Sequence, residues 1–146
     1  MIIVNGVLPN ISHLPNGETN LTLPDNFPSI CNSFGYDIEV VWKFDSDQEF
    51  MWIRQLSSYL KGMNDGKYAN AKIKCSIPYF PYECMDRDSK GTSNSFTVIE
   101  AVDMLPKEWE YYILEPHSKV LMGALNSDHL KYHVGCVCNT LEKDIE

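Results

Sequence analysis

The sequence predicts an α/β domain built on a mainly parallel sheet. Three observations carry that reading. Short β-branched and aromatic runs alternate with longer stretches of helical period, the pattern of βαβ units. The run DIEVVWKF, Asp37 to Phe44, ends on a helix-start signal: Ser46 with Glu49 three residues on. A second helical stretch is stopped by Pro106 and leads straight into WEYYIL, Trp109 to Leu114.

Taken in order, Ile2 to Val4 reads as a short first strand. Residues 5–16 are rich in Asn, Pro and Gly and read as loop. Glu18 to Leu23, ETNLTL, alternates as a strand or hairpin arm does, and residues 24–35 read as loop again. Asp37 to Phe44 is the next strand. In the capping box that follows, the Ser46 oxygen can accept a backbone N–H while Glu49 reaches back. The helix should then run from Asp47 to about Lys61, with Phe50, Ile53, Leu56 and Leu60 as its inward stripe. Met51, Trp52 and Tyr59 form a second apolar edge, which suits either core packing or a subunit contact.

Asn64, Asp65 and Gly66 end that helix, and Ala71 to Ile77 reads as a strand. A loop turning through Pro78 and Pro81 leads to a helix from about Ser95 to Leu105. After the strand WEYYIL come the turn Glu115–Ser118, a short helix to about Leu125 and a last strand near Leu130 to Val137.

At 146 residues this is one domain, 1–146, large enough for a single core. Apolar residues at 44% and charged residues at 22% are ordinary for a soluble globular protein. A net charge of −8 argues against a general nucleic-acid surface, which needs clustered Lys and Arg. It leaves room for a small anionic ligand, for which one Arg or a few backbone N–H groups suffice. No apolar run approaches the roughly 20 residues of a membrane span. The start, MIIVNGVLPN, lacks the features of a signal peptide, so a cytoplasmic location is expected. Cys31, Cys75, Cys84, Cys136 and Cys138 show neither zinc nor scaffold spacing and are expected as free thiols in a reducing compartment.

Two loops carry the candidate chemistry. Residues 82–90 leave the end of one strand and hold Asp86, Arg87, Asp88 and Lys90; Glu115–Ser118 leaves the end of the next. If the two strands are parallel, both loops open on one edge, where an α/β sheet places its ligands. His117 lies there and can ligate a divalent ion or act as acid or base, or simply donate to a nearby carbonyl. His13, His129 and His133 are weaker candidates. The charges of Asp86, Arg87 and Asp88 suit a hydrated magnesium ion and a phosphate, or a solvated surface run. Asn16-Gly17-Glu18 by itself says hairpin. The common nucleotide and hydrolase signatures are absent: no Walker A, G-x-G-x-x-G, G-x-S-x-G or H-E-x-x-H.

Four segments, in order, resemble the amino-terminal half of ribose-phosphate pyrophosphokinase (phosphoribosyl diphosphate synthetase). Leu14-Pro15-Asn16-Gly17-Glu18 resembles the family's Phe-x-Asp-Gly-Glu turn, and Asp45 to Leu60 its approach to a first long helix. Ile77-Pro78-Tyr79-Phe80-Pro81-Tyr82 is very close to Ile-Pro-Tyr-Phe-x-Tyr, and Asp86-Arg87 falls where the family continues Ala-Arg-Gln-Asp-Arg-Lys. Glu115-Pro116-His117-Ser118 resembles its Asp-Leu/Pro-His-Ser/Ala turn. The Ile77–Arg87 match is the specific one.

The resemblance implies a three-layer α/β fold of the phosphoribosyltransferase type, with about five strands and helices on both faces. It implies transfer of the β,γ-pyrophosphoryl group of Mg-ATP to ribose 5-phosphate, with release of AMP. His117 matches a residue that touches magnesium and the ATP phosphates. Asn16 and Glu18 match residues that meet the adenine of ATP on a neighbouring subunit. Cys84 and Met85 stand where the family has an Arg-Gln pair contacting ATP, so a fork of donors and a full positive charge are missing there. Glu83 and Asp88 add negative charge close by. The family's carboxyl half, with its acidic Asp-Asp-x-x-x-Thr-Gly-type ribose-phosphate loop, has no counterpart here. Activity is therefore expected only with a second polypeptide, in a homo-oligomer or with a partner subunit. The alternative is a non-catalytic assembly or regulatory protein of the same fold, which the altered Cys84-Met85 pair favours.

Overall fold

The computed structural model describes residues 1–29, 37–62, 71–83 and 97–135. Its strands are β1 (Ile2–Val4), β2 (Asn10–His13), β3 (Thr19–Thr22), β4 (Ile38–Trp42), β5 (Ile73–Ile77), β6 (Glu110–Leu114) and β7 (Lys131–Gly135). Its helices are α1 (Gln48–Gly62), α2 (Thr97–Asp103) and α3 (Lys119–Ser127). Five strands form one sheet in the order β1-β4-β5-β6-β7, while β2 and β3 make a separate two-stranded sheet. The pairs β4–β5, β5–β6 and β6–β7 are parallel, and β1 closes one edge antiparallel to β4. This is the expected α/β class, a mainly parallel sheet with flanking helices.

The alternation of the strand residues decides which face is core. Ile38, Val40 and Trp42 point inward from β4, Cys75 and Ile77 from β5, and Tyr111 and Ile113 from β6. Glu39 and Val41 point the other way. Helix α1 lays Phe50, Ile53, Leu56 and Leu60 on this core, as its 3.6-residue period predicts. Phe50 meets Trp42 edge-on, with ring centroids 5.0 Å apart. Val98, Ala101 and Val102 of α2 and Leu121 and Leu125 of α3 join the same cluster. The strand order explains why the helices share a face. Each crossover steps sideways in the same direction, and right-handed crossovers that do so stack their helices on one side.

The start of α1 follows the capping box in part. The Glu49 carboxylate, 1% exposed, accepts the backbone N–H of Ser46 at 3.0 Å and that of Asp45. It also takes the Met1 ammonium, which bonds Asp45 Oδ2 at 2.9 Å. The Ser46 carbonyl oxygen, rather than its hydroxyl, receives the Glu49 N–H, at 3.1 Å. The buried carboxylate thereby joins the beginning of β1 to the beginning of α1.

Two stretches expected as loop are ordered differently. Asn10–His13 is a strand, because its backbone pairs with β3 from Asn10↔Thr22 to His13↔Thr19. Residues 27–29 have helical backbone, and Phe27 is fully buried. Among the described residues no helix is long and apolar enough to cross a membrane. Cys75 is a free, fully buried thiol, and burial raises its pKa. Cys31, Cys84, Cys136 and Cys138 lie outside the described residues.

Candidate functional site

The carboxyl ends of β5 and β6 lie side by side, since Ile77 pairs with Ile113 in parallel register. The chains leaving them therefore open on one edge, as expected. After β5 the chain passes Phe80, which is buried, and reaches Tyr82 in the left-handed region at φ 66°. A non-glycine residue there is held by its surroundings. The Tyr82 ring packs on Phe44 at 5.7 Å and on Phe50 at 6.3 Å. Beyond β6, Glu115 also takes positive φ, 45°, and its N–H donates to the Gly135 carbonyl at 2.8 Å. Each exit from the sheet is thus bent sharply within a few residues of the strand end.

The two exits meet. Glu83, largely buried, turns its carboxylate to the backbone N–H of His117, 2.9 Å away. Next in line, Ser118 caps α3: its hydroxyl oxygen accepts the Leu121 N–H at 3.1 Å. The His117 ring is exposed just ahead of that cap. A side chain in this position stands beside the positive end of a helix dipole, where an anion is favoured. Two recesses flank the exits. One of about 160 Å³ lies beside Tyr82, between α1 and α2. A shallow apolar groove of about 510 Å³ follows the ends of β5, β6 and β7.

The other sequence candidates are placed elsewhere. Asn16 forms the turn between β2 and β3, where its Oδ1 accepts the Glu18 N–H at 3.1 Å and Gly17 supplies φ 90°. Asn16 and Glu18 are exposed at the tip of this hairpin. The hairpin is fastened to α1 by Gln55, which accepts from the Leu21 N–H at 2.9 Å and donates to the Thr19 carbonyl at 3.0 Å. Trp52 Nε1 donates to Thr19 Oγ1 at 2.7 Å. Of the second apolar edge of α1, Trp52 therefore holds the hairpin, while Met51 and Tyr59 remain exposed. Cys84, Met85, Asp86 and Arg87 lie outside the described residues. Among the weaker histidines, His129 closes the end of α3, and His133 pairs with Glu110 and stacks on Tyr112. The sequence reading missed Glu83 as a positioning residue. Nothing local marks it, because its partner is a backbone amide 34 residues away.

No protein-family profile and no curated protein matches the chain. Among solved structures it is similar to phosphoribosylpyrophosphate synthetase from Mycobacterium smegmatis, with a TM-score of 0.59 over 94% of this chain. The likeness is one of fold. Sequence identity is 14%, and the chain spans 43% of the length of that neighbour. The mainly parallel α/β sheet with flanking helices expected from the four segments is the fold observed, and the described helices lie on one of its faces.

Proposed function

We propose that this chain is the amino-terminal half of a ribose-phosphate pyrophosphokinase and that it holds Mg-ATP at the carboxyl edge of β5 and β6. The observation that carries the reading is the Glu83–His117 bond. It joins the loop resembling the family's Ile-Pro-Tyr-Phe-x-Tyr segment to the turn resembling its histidine turn, within a fold like that of phosphoribosylpyrophosphate synthetase. In the reaction the anomeric oxygen of ribose 5-phosphate bonds to the β-phosphorus and loses its proton. The bond from that phosphorus to the α–β bridging oxygen breaks, and AMP departs with that oxygen. Such transfer rests on positioning and on neutralising charge.

His117 is the candidate catalytic contact to the phosphates and to magnesium. Among the described residues no group of three or more His, Cys, Asp or Glu could hold a metal ion. A hydrated magnesium ion that arrives with its phosphates keeps several waters and takes few protein ligands, and His117 is the candidate one. Asn16 and Glu18 are candidate adenine contacts toward a neighbouring subunit. Cys84, Met85, Asp86 and Arg87 are the candidate ATP loop. The ribose 5-phosphate site belongs to the family's carboxyl half, and the assembly is cytoplasmic. AMP release from Mg-ATP and ribose 5-phosphate, measured for the chain alone and mixed with a carboxyl-half domain of the family, tests this. Release only in the mixture, abolished by His117→Ala, is expected. Unchanged turnover in that variant removes His117 from the reaction.

A second reading has an observation of its own. The Glu83 carboxylate sits at the turn where phosphates would lie, and no arginine stands at position 84 to offset it. That balance suits a non-catalytic assembly or regulatory subunit of the same fold. Absence of AMP release from folded protein in both arms selects it.

A further inference from the structure

A helix leaves the N–H groups of its first turn without partners inside the helix, and the backbone that enters it favours an anion. Ahead of α3 the protein supplies that anion itself. The Ser118 hydroxyl oxygen accepts the Leu121 N–H at 3.1 Å, and the Glu83 carboxylate accepts the N–H of His117, 2.9 Å away. Glu83 is only 9% exposed. Taking a carboxylate out of water is unfavourable unless hydrogen bonds compensate, so this amide is its specific seat. The bend that brings it there is anchored from behind. Tyr82 stands at φ 66° with its ring on Phe44 and Phe50, and Phe80 is buried.

We infer that Glu83 is an internal competitor for the anion seat at the β6–α3 turn: its carboxylate has to leave the His117 amide before a phosphate group can bind there. A backbone N–H has one proton to give. An ionised carboxylate and a phosphate are both acceptors and both negative, so they contend for that proton and repel one another. The repulsion is stronger in a part-buried site than in water. Glu83 can leave without unfolding the edge, because its own side-chain torsions swing the carboxylate outward while Tyr82 and Phe80 stay anchored. The seat is then self-occluded: a bond that is open one-tenth of the time lowers the apparent affinity of an incoming anion about tenfold. That the natural ligand is Mg-ATP rests on the function proposed above; the competition for the amide does not.

The experiment uses the whole chain and two probes, Mg-ATP and inorganic pyrophosphate, titrated separately by calorimetry. Glu83→Gln keeps the length and an acceptor oxygen and removes the charge. It is expected to bind both probes about tenfold more tightly than the natural chain. Glu39→Gln, exposed on β4, removes the same charge elsewhere and should change neither affinity by more than about twofold, since exposed distant charges are screened. Circular dichroism checks folding. Tighter pyrophosphate binding without any Mg-ATP binding upholds the competition and removes the Mg-ATP reading. Equal Mg-ATP affinity in the natural chain and in Glu83→Gln keeps that reading and overturns the competition. Equal tightening by Glu39→Gln, or no binding of either probe to folded Glu83→Gln, overturns it too. If Glu83→Gln fails to fold, carbon-detected NMR of the natural chain decides. The Glu83 carboxyl signal should shift as pyrophosphate is added, and an unmoved signal overturns the inference.

Discussion

Glu83 and His117 are bonded across the edge of the sheet: the Glu83 carboxylate accepts the His117 backbone N–H at 2.9 Å. The contact fixes the turn after β6 to the loop after β5 while leaving the His117 ring exposed. A charged acceptor on a backbone amide is among the stronger hydrogen bonds, and its position here makes it a tie between the two segments.

Removing that acceptor should therefore loosen the edge. Glu83→Ala is expected to cost about 1.5–3 kcal/mol, the range for a hydrogen bond to a charged group. Glu83→Gln keeps an oxygen that can accept and should retain most of that stability. Amide exchange at His117 reports the bond directly and should quicken in the alanine variant. An alanine variant that melts with the natural chain, its His117 amide equally protected, would show the tie to be absent in solution.

Restoring the charge missing from the neighbouring loop tests the ligand. Cys84→Arg should tighten Mg-ATP binding roughly tenfold or more, on the scale of one charge-assisted bond. Calorimetry reads this without any turnover. Unchanged affinity would mean that the ATP phosphates do not lie near this loop.

How far the sequence foretold the structure depends on how local each determinant was. The strand Ile38–Trp42 and the helix Gln48–Gly62 were legible because β-branched residues, a capping pair and a 3.6-residue stripe all lie within a few positions. Asn10–His13 was not, since NISH offers one apolar residue and becomes a strand only by pairing with Thr19–Thr22. His117 could be singled out from its place after a strand and a proline. Glu83 could not, because a carboxylate in a loop carries no mark of a partner so distant in sequence. The meeting of the two loops followed from parallel strands alone, while the bond that joins them is a tertiary contact that no local pattern marks.

His129 gives a stability prediction independent of function. It sits just past α3 at φ 56°, where glycine is the usual residue. Its N–H donates to the Asn126 carbonyl, and the Leu130 N–H reaches back to Leu125, both at 3.1 Å. Those paired bonds form a Schellman cap, with Leu125 and Leu130 buried beneath it. His129→Gly keeps both backbone bonds and removes the Cβ clash, so it should stabilise by about 1 kcal/mol. A thermal melt unchanged or lowered by the substitution would count against a left-handed residue at this position.

The last prediction concerns pH. The Lys61 ammonium lies 3.0 Å from Glu108 and is the leading cause that holds the Glu108 carboxyl below its ordinary range. A carboxyl depressed on folding contributes stability above its unfolded pKa, and that contribution fades as pH falls through the folded value. Both side chains are more than half exposed, so the pair should be worth only about 0.2–1 kcal/mol, and less at high salt. Lys61→Met should raise the Glu108 midpoint toward that of an ordinary glutamate and flatten the acid limb of the stability curve. A carbon-detected NMR titration follows Glu108 individually. A midpoint that does not move in the methionine variant would assign the depression to the backbone hydrogen bond that is its second cause.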